Sequence, residues 1–179
     1  MIRDKKIAGQ LTYEKHFNAD QDKRSIRLYS IIRKYAKRTD SILEIGCSWG
    51  RNLEVLYDNG FKNLTGLDPH KEAIEGFRNK NIKGIVGTMQ DKLKELPQYD
   101  IIFTKSVLYL TPDPNYQDIV DKTKKYLITC EGETSQHIAN NELFDRDYRA
   151  IFELYGMEQV EDREAFAGPQ SRIRVFKKL

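Results

Sequence analysis

The sequence lacks the residues that disulfide frameworks and metal clusters require. It has only two cysteines in 179 residues, Cys47 in a glycine-bounded segment and Cys130 in an apolar run. Two cysteines in such unlike contexts form neither a disulfide framework nor a metal-binding spacing. No group of carboxylates and histidines points to a catalytic metal. We therefore expect no metal, and a reducing, cytoplasmic environment.

Long apolar runs are missing as well. No segment approaches the roughly 18 consecutive apolar residues of a membrane span, and residues 1–6 (MIRDKK) lack the apolar centre of a signal peptide. We therefore expect no contact with a membrane. The length is typical of one domain, so we predict a single domain over residues 1–179, with an N-terminal helical segment at 1–40 and a core at 41–179.

Neither sign of charge dominates. The 30 basic residues are interspersed with 27 acidic ones, which gives a formal net charge of +3, and the basic tract at 122–125 is short. This distribution is typical of a solvated surface rather than of a nucleic-acid footprint. The composition therefore favours a small-molecule partner over nucleic acid, and it leaves the oligomeric state open.

What the sequence does contain is an apolar run that leads into two glycines, SILEIGCSWG at 41–50. One acid, Glu44, interrupts the apolar run, and a helical pattern follows at 52–57, so the segment predicts a strand, a tight turn and a helix. Gly46 and Gly50 lack a Cβ, so a ligand can lie directly against the backbone there. We expect a nucleotide-like cofactor at this turn.

The spacing of these glycines narrows the choice of cofactor. It matches neither the dinucleotide fingerprint G-x-G-x-x-G nor a P-loop, which needs a lysine after its last glycine. Glu44 would repel a phosphate but attracts a ligand that carries positive charge. S-adenosylmethionine (SAM) is such a ligand, because it carries an ammonium and a sulfonium.

Together with LTGLDP at 64–69 and DIIFT at 100–104, the segment resembles the first motifs of the class I SAM-dependent methyltransferases. In that family the turn usually reads Gly-Cys-Gly-x-Gly, so Ser48 replaces the middle glycine. The resemblance extends towards the C-terminus. It implies SAM as cofactor and S-adenosylhomocysteine as product. It also implies a Rossmann-like, doubly wound, seven-stranded, mostly parallel sheet with an antiparallel last strand and helices on both faces.

The apolar patterns agree with that architecture, because strands alternate with helices along the chain. The predicted strands are 42–45, 64–67, 84–87, 100–104, 126–130, 157–160 and 173–176. The main predicted helices begin at 20 or 22 and end near 38, and then cover 52–57, 70–78, 115–123 and 144–154. The last two strands are predicted to form an antiparallel pair. In such a sheet the ligand lies at the carboxyl ends of the strands, where Gly46, Asp68, Gly87 and Thr104 stand.

The resemblance also implies a set of cofactor-binding residues. They are Glu44, Gly46, Cys47, Ser48, Gly50, Asn52, Leu53, Asp68, Pro69, Thr88, Met89, Gln90 and Thr104. Glu44 is assigned to the methionine ammonium, Met89 to the adenine ring, and Asp68 to the ribose hydroxyls. An alternative for Asp68 is a cap on the helix after Pro69. Tyr13 is added because an N-terminal segment with Tyr13, His16 and Phe17 would make a lid over the cofactor.

The segment after the fourth strand is where family members place the residues that face the methyl group. We therefore predict Lys105 and Tyr109 as catalytic, with a solvated lysine and ordinary packing as the alternatives. Tyr109 occupies a place that histidine often holds in small-molecule methyltransferases. The sequence lacks the Asp/Asn/Ser-Pro-Pro-Tyr/Phe motif of enzymes that methylate the amino groups of bases.

The predicted function is methyl transfer from SAM to a small polar metabolite. LEIGC at 43–47 and FKNLTGLD at 61–68 resemble a subgroup of small bacterial methylases associated with pseudaminic-type sugar biosynthesis, which suggests a sugar or nucleotide-sugar acceptor. The predicted acceptor-facing residues are Lys105, Tyr109, Tyr116, Glu131, Glu133, Gln136 and His137. The alternatives are an RNA or protein methyltransferase and a SAM-binding partner without chemistry of its own.

Overall fold

The computed structural model describes residues 19–132, 146–165 and 171–179. Seven strands form one sheet: β1 Ile42–Ile45, β2 Leu64–Asp68, β3 Lys83–Val86, β4 Tyr99–Lys105, β5 Thr123–Gly132, β6 Met157–Glu164 and β7 Ser171–Lys178. The helices of these residues are α1 Ala19–Tyr35, α2 Arg51–Asp58, α3 Lys71–Glu75, α4 Met89–Lys92, α5 Tyr116–Lys122 and α6 Tyr148–Leu154. None of them is long and apolar enough to cross a membrane.

The strand order is β3-β2-β1-β4-β5-β7-β6, and β7 runs antiparallel to both of its neighbours. The other neighbouring pairs are parallel. The order reverses between β1 and β4, which makes the carboxyl ends of these two strands the switch point where ligands bind in such sheets. The predicted seven-stranded sheet and its antiparallel last strand are confirmed.

Helices cover both faces of the sheet, which explains why the central strands are almost uninterrupted apolar runs. On one face Ile42 packs with residues of α1 and α2, among them Leu28 and Leu53. On the other face Leu43 and Ile45 belong to a cluster with α5, α6 and β7. Because side chains alternate along a strand, Glu44 shares the face of Ile42, under α1 and α2.

The register brings the ends of three strands together. Ile45 at the end of β1 is aligned with Leu67 in β2 and with Thr104 in β4. The N–H of Gly46 then donates to the carbonyl of Leu67 at 2.7 Å, so the turn after β1 remains attached to β2. The segments that follow β1, β2 and β4 therefore lie at one edge of the sheet.

Several element boundaries differ from the predicted ones, and α6 begins at Tyr148 rather than at 144 because Asp147 caps it there. Helix α3 ends at Glu75 rather than at 78, and Gly76, a residue of low helix propensity, is its C-cap. Strand β5 is longer than predicted because its pairing with β7 continues to Gly132. Strand β6 continues through the charged residues 161–164, since an edge strand paired on one side tolerates exposed polar side chains.

Candidate cofactor site

Two cavities lie at the carboxyl edge of the sheet. The first, called the polar cavity here, has a volume of about 190 Å³ and is lined by Glu44, Gly46, Cys47, Ser48, Trp49, Arg51, Asn52, Lys105 and Ser106. The second, the apolar cavity, has about 300 Å³ and is lined by Ile45, Gly46, Leu67, Pro69, Gly87, Thr88, Met89, Gln90, Val107, Leu110, Thr111 and Pro112. Gly46 borders both cavities, so they lie side by side along the turn after β1.

Glu44 gives the polar cavity its main chemical feature. Its side chain is buried, and its Oε1 accepts a hydrogen bond of 2.5 Å from Nδ2 of Asn52. Its Oε2 is buried and has no hydrogen-bond partner among the described residues. Burial raises the pKa of Glu44 to about 8, and the Asn52 hydrogen bond and the charge of Lys105 offset only part of that rise. A ligand ammonium at Oε2 would supply the missing donor and counter-charge.

Asn52 connects Glu44 to two other elements. Its Oδ1 accepts a hydrogen bond of 2.7 Å from the hydroxyl of Ser25 and one of 3.4 Å from Nζ of Lys105. Ser25 lies on α1 and is buried. One amide therefore ties α1, β1 and the end of β4 to the polar cavity. Ser25 was not predicted as a site residue, because its hydrogen bond to Asn52 joins residues 27 positions apart and no local sequence pattern signals it.

Asp68 is the last residue of β2, and its carboxylate is nearly buried. Its Oδ2 accepts the N–H of Ser48 at 2.8 Å, and its Oδ1 accepts the N–H of His70 at 2.8 Å. The imidazole Nδ1 of His70 also lies 2.9 Å from Oδ1. Asp68 therefore holds the start of α3, as the structural alternative predicts. Asp68 itself lines neither cavity, but its hydrogen-bond partner Ser48 borders the polar cavity, and Pro69, which follows it, borders the apolar cavity.

Ser48 adopts a backbone conformation that glycine usually takes. Its φ angle is 47°, in the left-handed region, which costs a residue with a Cβ about 1–2 kcal/mol. The hydrogen bond from the Ser48 N–H to Asp68 helps to hold the turn in this conformation. This geometry explains why the related motif prefers a glycine at this place.

The apolar cavity is a slot between the strand ends and the segment after β4. Ile45, Leu67, Met89 and Val107 supply apolar surface, which suits the faces of an aromatic ring. Polar groups stand at its rim. Thr88 caps α4 by accepting from the N–H of Asp91, and Nε2 of Gln90 donates to the carbonyl of Asp113 at 2.8 Å.

The side chains of Glu131 and Arg146 hold the segment after β4 through hydrogen bonds to its backbone. The buried carboxylate of Glu131 accepts the N–H groups of Val107 and Leu108, at 2.9 and 3.1 Å. The guanidinium of Arg146 donates to the carbonyls of Leu108, Thr111 and Pro112. Because this segment forms one wall of the apolar cavity, Glu131 and Arg146 shape the cavity without lining it.

The position of Glu131 corrects one prediction. Glu131 was expected to face the acceptor, but its carboxylate is buried and engaged by backbone N–H groups. Tyr116 was expected in the same role. Its ring packs edge-on against Phe152 with 5.5 Å between ring centroids, and it lies near Tyr155. Glu131 therefore supports the fold around the site, whereas the acceptor-facing role of Tyr116 stays a prediction.

The other predicted site residues are placed as follows. The two cavities include Glu44, Gly46, Cys47, Ser48, Asn52, Pro69, Thr88, Met89, Gln90 and Lys105. Neither cavity is lined by Gly50, Leu53, Thr104 or Tyr109. The side chains of Leu53 and Thr104 are fully buried. Gly50 precedes α2, and Tyr109 lies in the 3-10 turn Leu108–Leu110. Tyr13, His16, Phe17, Glu133, Gln136 and His137 lie outside the described residues. Trp49 also borders the polar cavity, and Arg51, Ser106 and Val107 are additional lining residues that were not predicted individually.

Comparison with known proteins decides the family. Residues 42–129, from β1 into β5, match the family model described as a methyltransferase domain. Over these residues the chain carries a class I SAM-dependent methyltransferase domain. The cofactor of this family is SAM, so the predicted family and cofactor are confirmed, whereas the subgroup of sugar-related methylases stays a prediction.

Solved structures share the fold at low sequence identity. The chain is similar to magnesium protoporphyrin IX methyltransferase from Synechocystis PCC 6803 with bound SAM, with a TM-score of 0.70, 13% identity, and coverage of 89% of this chain and 80% of that one. It is also similar to a SAM-dependent methyltransferase from Archaeoglobus fulgidus, with a TM-score of 0.70, 16% identity, and coverage of 94% and 98%. At these identities the likeness shows the fold alone.

One curated relative matches over part of its length. The eEF1A lysine and N-terminal methyltransferase of Bos taurus is 22% identical over 139 residues, which cover 73% of this chain and 18% of the relative. The methyltransferase chain therefore spans less than a fifth of that protein.

A substitution pair tests the close approach at Gly46. Gly46 and Gly156 have similar φ angles, 73° and 79°, but an added Cβ would overlap the side chain of Val107 at Gly46 and would meet nothing within 4 Å at Gly156. Gly156→Ala should cost about 1–2 kcal/mol from the backbone alone. Gly46→Ala should cost about 1–3 kcal/mol more and should weaken the binding of S-adenosylhomocysteine, because Gly46 borders both cavities.

Urea unfolding and calorimetric titration of both variants measure these differences. Equal losses of stability with equal affinities would mean that the contact between Gly46 and Val107 does not shape the site.

A pH series tests the buried carboxylate of Glu131. Burial raises its pKa to about 7, although the Thr104 hydroxyl and the backbone N–H groups oppose the shift. The folded state then keeps a proton that the unfolded state loses above about pH 4.5. The free energy of unfolding should therefore fall as the pH rises from about 4.5 to about 7, by up to about 1.4 kcal/mol per unit for this group.

Glu131→Gln should make the free energy of unfolding depend less steeply on pH, and the remaining slope should come from Glu44, whose pKa burial also raises. Glu158→Gln, which changes an exposed residue of the edge strand β6, should leave the slope unchanged. Urea unfolding at pH 5, 6 and 7.5 is the measurement. A slope that Glu131→Gln leaves unchanged contradicts the assignment.

Proposed function

We propose that this chain transfers the methyl group of SAM to a small polar acceptor, with a hydroxylated or carboxylated metabolite such as a modified sugar as the acceptor class. The observation that carries the cofactor half of this proposal is Glu44, which borders the polar cavity and whose buried Oε2 has no hydrogen-bond partner among the described residues. The apolar cavity adjoins the polar cavity at Gly46, and Asp68 binds the N–H of Ser48 at the border of the polar cavity. This arrangement supports a cofactor with a cationic end, a ribose and an aromatic base.

Each part of the cofactor has a complementary group in the chain. Glu44 would take the ammonium, and Asp68 would accept the ribose hydroxyls. A carboxylate has about four lone-pair positions, and the N–H groups of Ser48 and His70 already use two of those of Asp68, so a ribose hydroxyl can be accepted without breaking either bond. Met89 and Ile45 would contact the faces of the adenine.

The chemistry requires little from the protein beyond placement. SAM supplies a methyl group that its sulfonium already activates. The acceptor atom forms a bond to the methyl carbon while the carbon–sulfur bond breaks, and the electron pair of that bond stays on sulfur. Alignment and exclusion of water therefore supply most of the acceleration. A general base is needed only when the acceptor is a hydroxyl or a protonated amine.

Tyr109 is the proposed group near the acceptor. It lies four residues beyond Lys105, which borders the polar cavity.

The character of the cavity and of the surface supports a small polar acceptor. Trp49, Arg51, Lys105 and Ser106 line the polar cavity and offer charge, an indole ring and a hydroxyl. On the described helices, exposed bases pair with acids, as in Lys71 with Glu75 and Arg149 with Glu153. Such alternation is unlike the basic stripe of an RNA-binding face.

Protein methylation is a second candidate function. It is favoured by one observation, the 22% identity to the eEF1A lysine and N-terminal methyltransferase of Bos taurus. The two candidates share the cofactor site and differ in the acceptor.

Asp68→Ala tests the ribose assignment. Loss of a charge-assisted hydrogen bond should weaken the binding of S-adenosylhomocysteine by about 1.5–3 kcal/mol. The matched control is Asp91→Ala, which removes an exposed acid from the neighbouring helix α4. Calorimetric titration measures affinity, and circular dichroism shows that each variant is folded. A folded Asp68→Ala protein that binds as tightly as the wild type would refute the assignment.

The acceptor class is tested by following a labelled methyl group. The protein and labelled SAM are incubated at physiological salt with three separate pools, a small-molecule extract, total RNA and total protein. Asp68→Ala serves as the control for background labelling. Label should enter the small-molecule pool. Label that enters only the protein pool would establish the second candidate instead, and label that enters only RNA would contradict both.

A further inference from the structure

We propose that Lys105 binds the carboxylate of the cofactor's methionine portion, so that the polar cavity recognises an amino-acid zwitterion through Glu44 on one side and Lys105 on the other. This inference rests on SAM binding at the proposed site. It gives Lys105 a cofactor-binding role instead of the methyl-facing role predicted from its place after the fourth strand.

The geometry around Asn52 carries the proposal. Its Nδ2 lies 2.5 Å from Oε1 of Glu44, and its Oδ1 lies 3.4 Å from Nζ of Lys105. An acid and a base therefore stand on opposite ends of one carboxamide, and both border the same cavity. An α-amino acid carries its ammonium and its carboxylate on neighbouring atoms of one carbon. Such a ligand would meet both protein charges within one cavity.

The charge balance of the cavity points the same way. Its lining contains one acid, Glu44, and two bases, Arg51 and Lys105. A zwitterion adds no net charge to this lining. A ligand with the ammonium alone would bring a third positive charge close to the two bases, which costs free energy in a partly buried site. The cavity should therefore favour ligands that keep the carboxylate.

The hydrogen bond of Ser25 strengthens the arrangement. Its hydroxyl donates to the same Oδ1 of Asn52, at 2.7 Å, and so holds the amide with Nδ2 towards Glu44 and Oδ1 towards Lys105. Asn52 and Ser25 are positioning residues in this scheme, whereas Glu44 and Lys105 contact the ligand.

A cycle of two proteins and two ligands tests the proposal. The ligands are S-adenosylhomocysteine and its decarboxylated analogue, which keeps the adenosine, the sulfur and the ammonium. Wild-type protein should bind S-adenosylhomocysteine about 10 to 100 times more tightly than the analogue. Lys105→Met should bind both ligands within about threefold of each other, because the partner of the carboxylate is gone. Calorimetric titration gives the four dissociation constants without any measurement of activity.

Two control variants separate the charge from the fold. Lys105→Arg keeps a positive charge and should keep most of the preference. Lys124→Met removes an exposed lysine from β5 and should leave all constants unchanged. Circular dichroism and thermal melts show whether Lys105→Met is folded.

The outcomes are distinct. If Lys105→Met weakens the binding of both ligands by the same factor, the preference for S-adenosylhomocysteine over its decarboxylated analogue persists. Lys105 then acts only on Glu44 or on the fold, and the proposal is overturned. A wild-type protein without any preference overturns it as well. If the wild type binds neither ligand, the proposed cofactor site fails, and this inference fails with it.

Discussion

The site depends on one costly feature, a carboxylate buried in the central strand of the sheet. An ionised group removed from water costs several kcal/mol unless partners replace the lost hydration. Asn52 supplies one hydrogen bond to Glu44, and the charge of Lys105 supplies part of the compensation. The remaining oxygen faces no donor among the described residues. Glu44 therefore lowers the stability of the folded protein, and a cationic ligand in the polar cavity would offset that loss.

The register of the sheet places Glu44 near the edge where the carboxyl ends of β1, β2 and β4 meet. Parallel register brings the ends of β1, β2 and β4 together, and the close approach of Gly46 to Val107 joins the turn after β1 to the segment after β4. Glu131 fixes the latter segment by accepting its backbone N–H groups. The apolar cavity is therefore shaped by a buried carboxylate that never reaches it, and its shape should respond to the protonation state of Glu131.

Local patterns in the sequence predicted the parts of the site that depend on neighbouring residues. Gly46 and Asp68 were found because glycine spacing and strand ends are visible within a few positions, and the seven strands were found from short apolar runs. Long-range contacts left no such signal. Ser25 bonds across 27 positions, and Glu131 appeared as an acceptor-facing acid because its partners are backbone N–H groups 23 and 24 residues away. The close approach of Gly76 to the ring of Trp49 likewise joins residues that lie far apart in the chain.

The most direct test of this account is a crystal structure of the protein with S-adenosylhomocysteine. The ligand ammonium should lie within hydrogen-bonding distance of Oε2 of Glu44, a ribose hydroxyl should contact Asp68, and the adenine should fill the slot beside Met89. A ligand bound with its ammonium away from Glu44, or with its adenine outside that slot, would contradict the account.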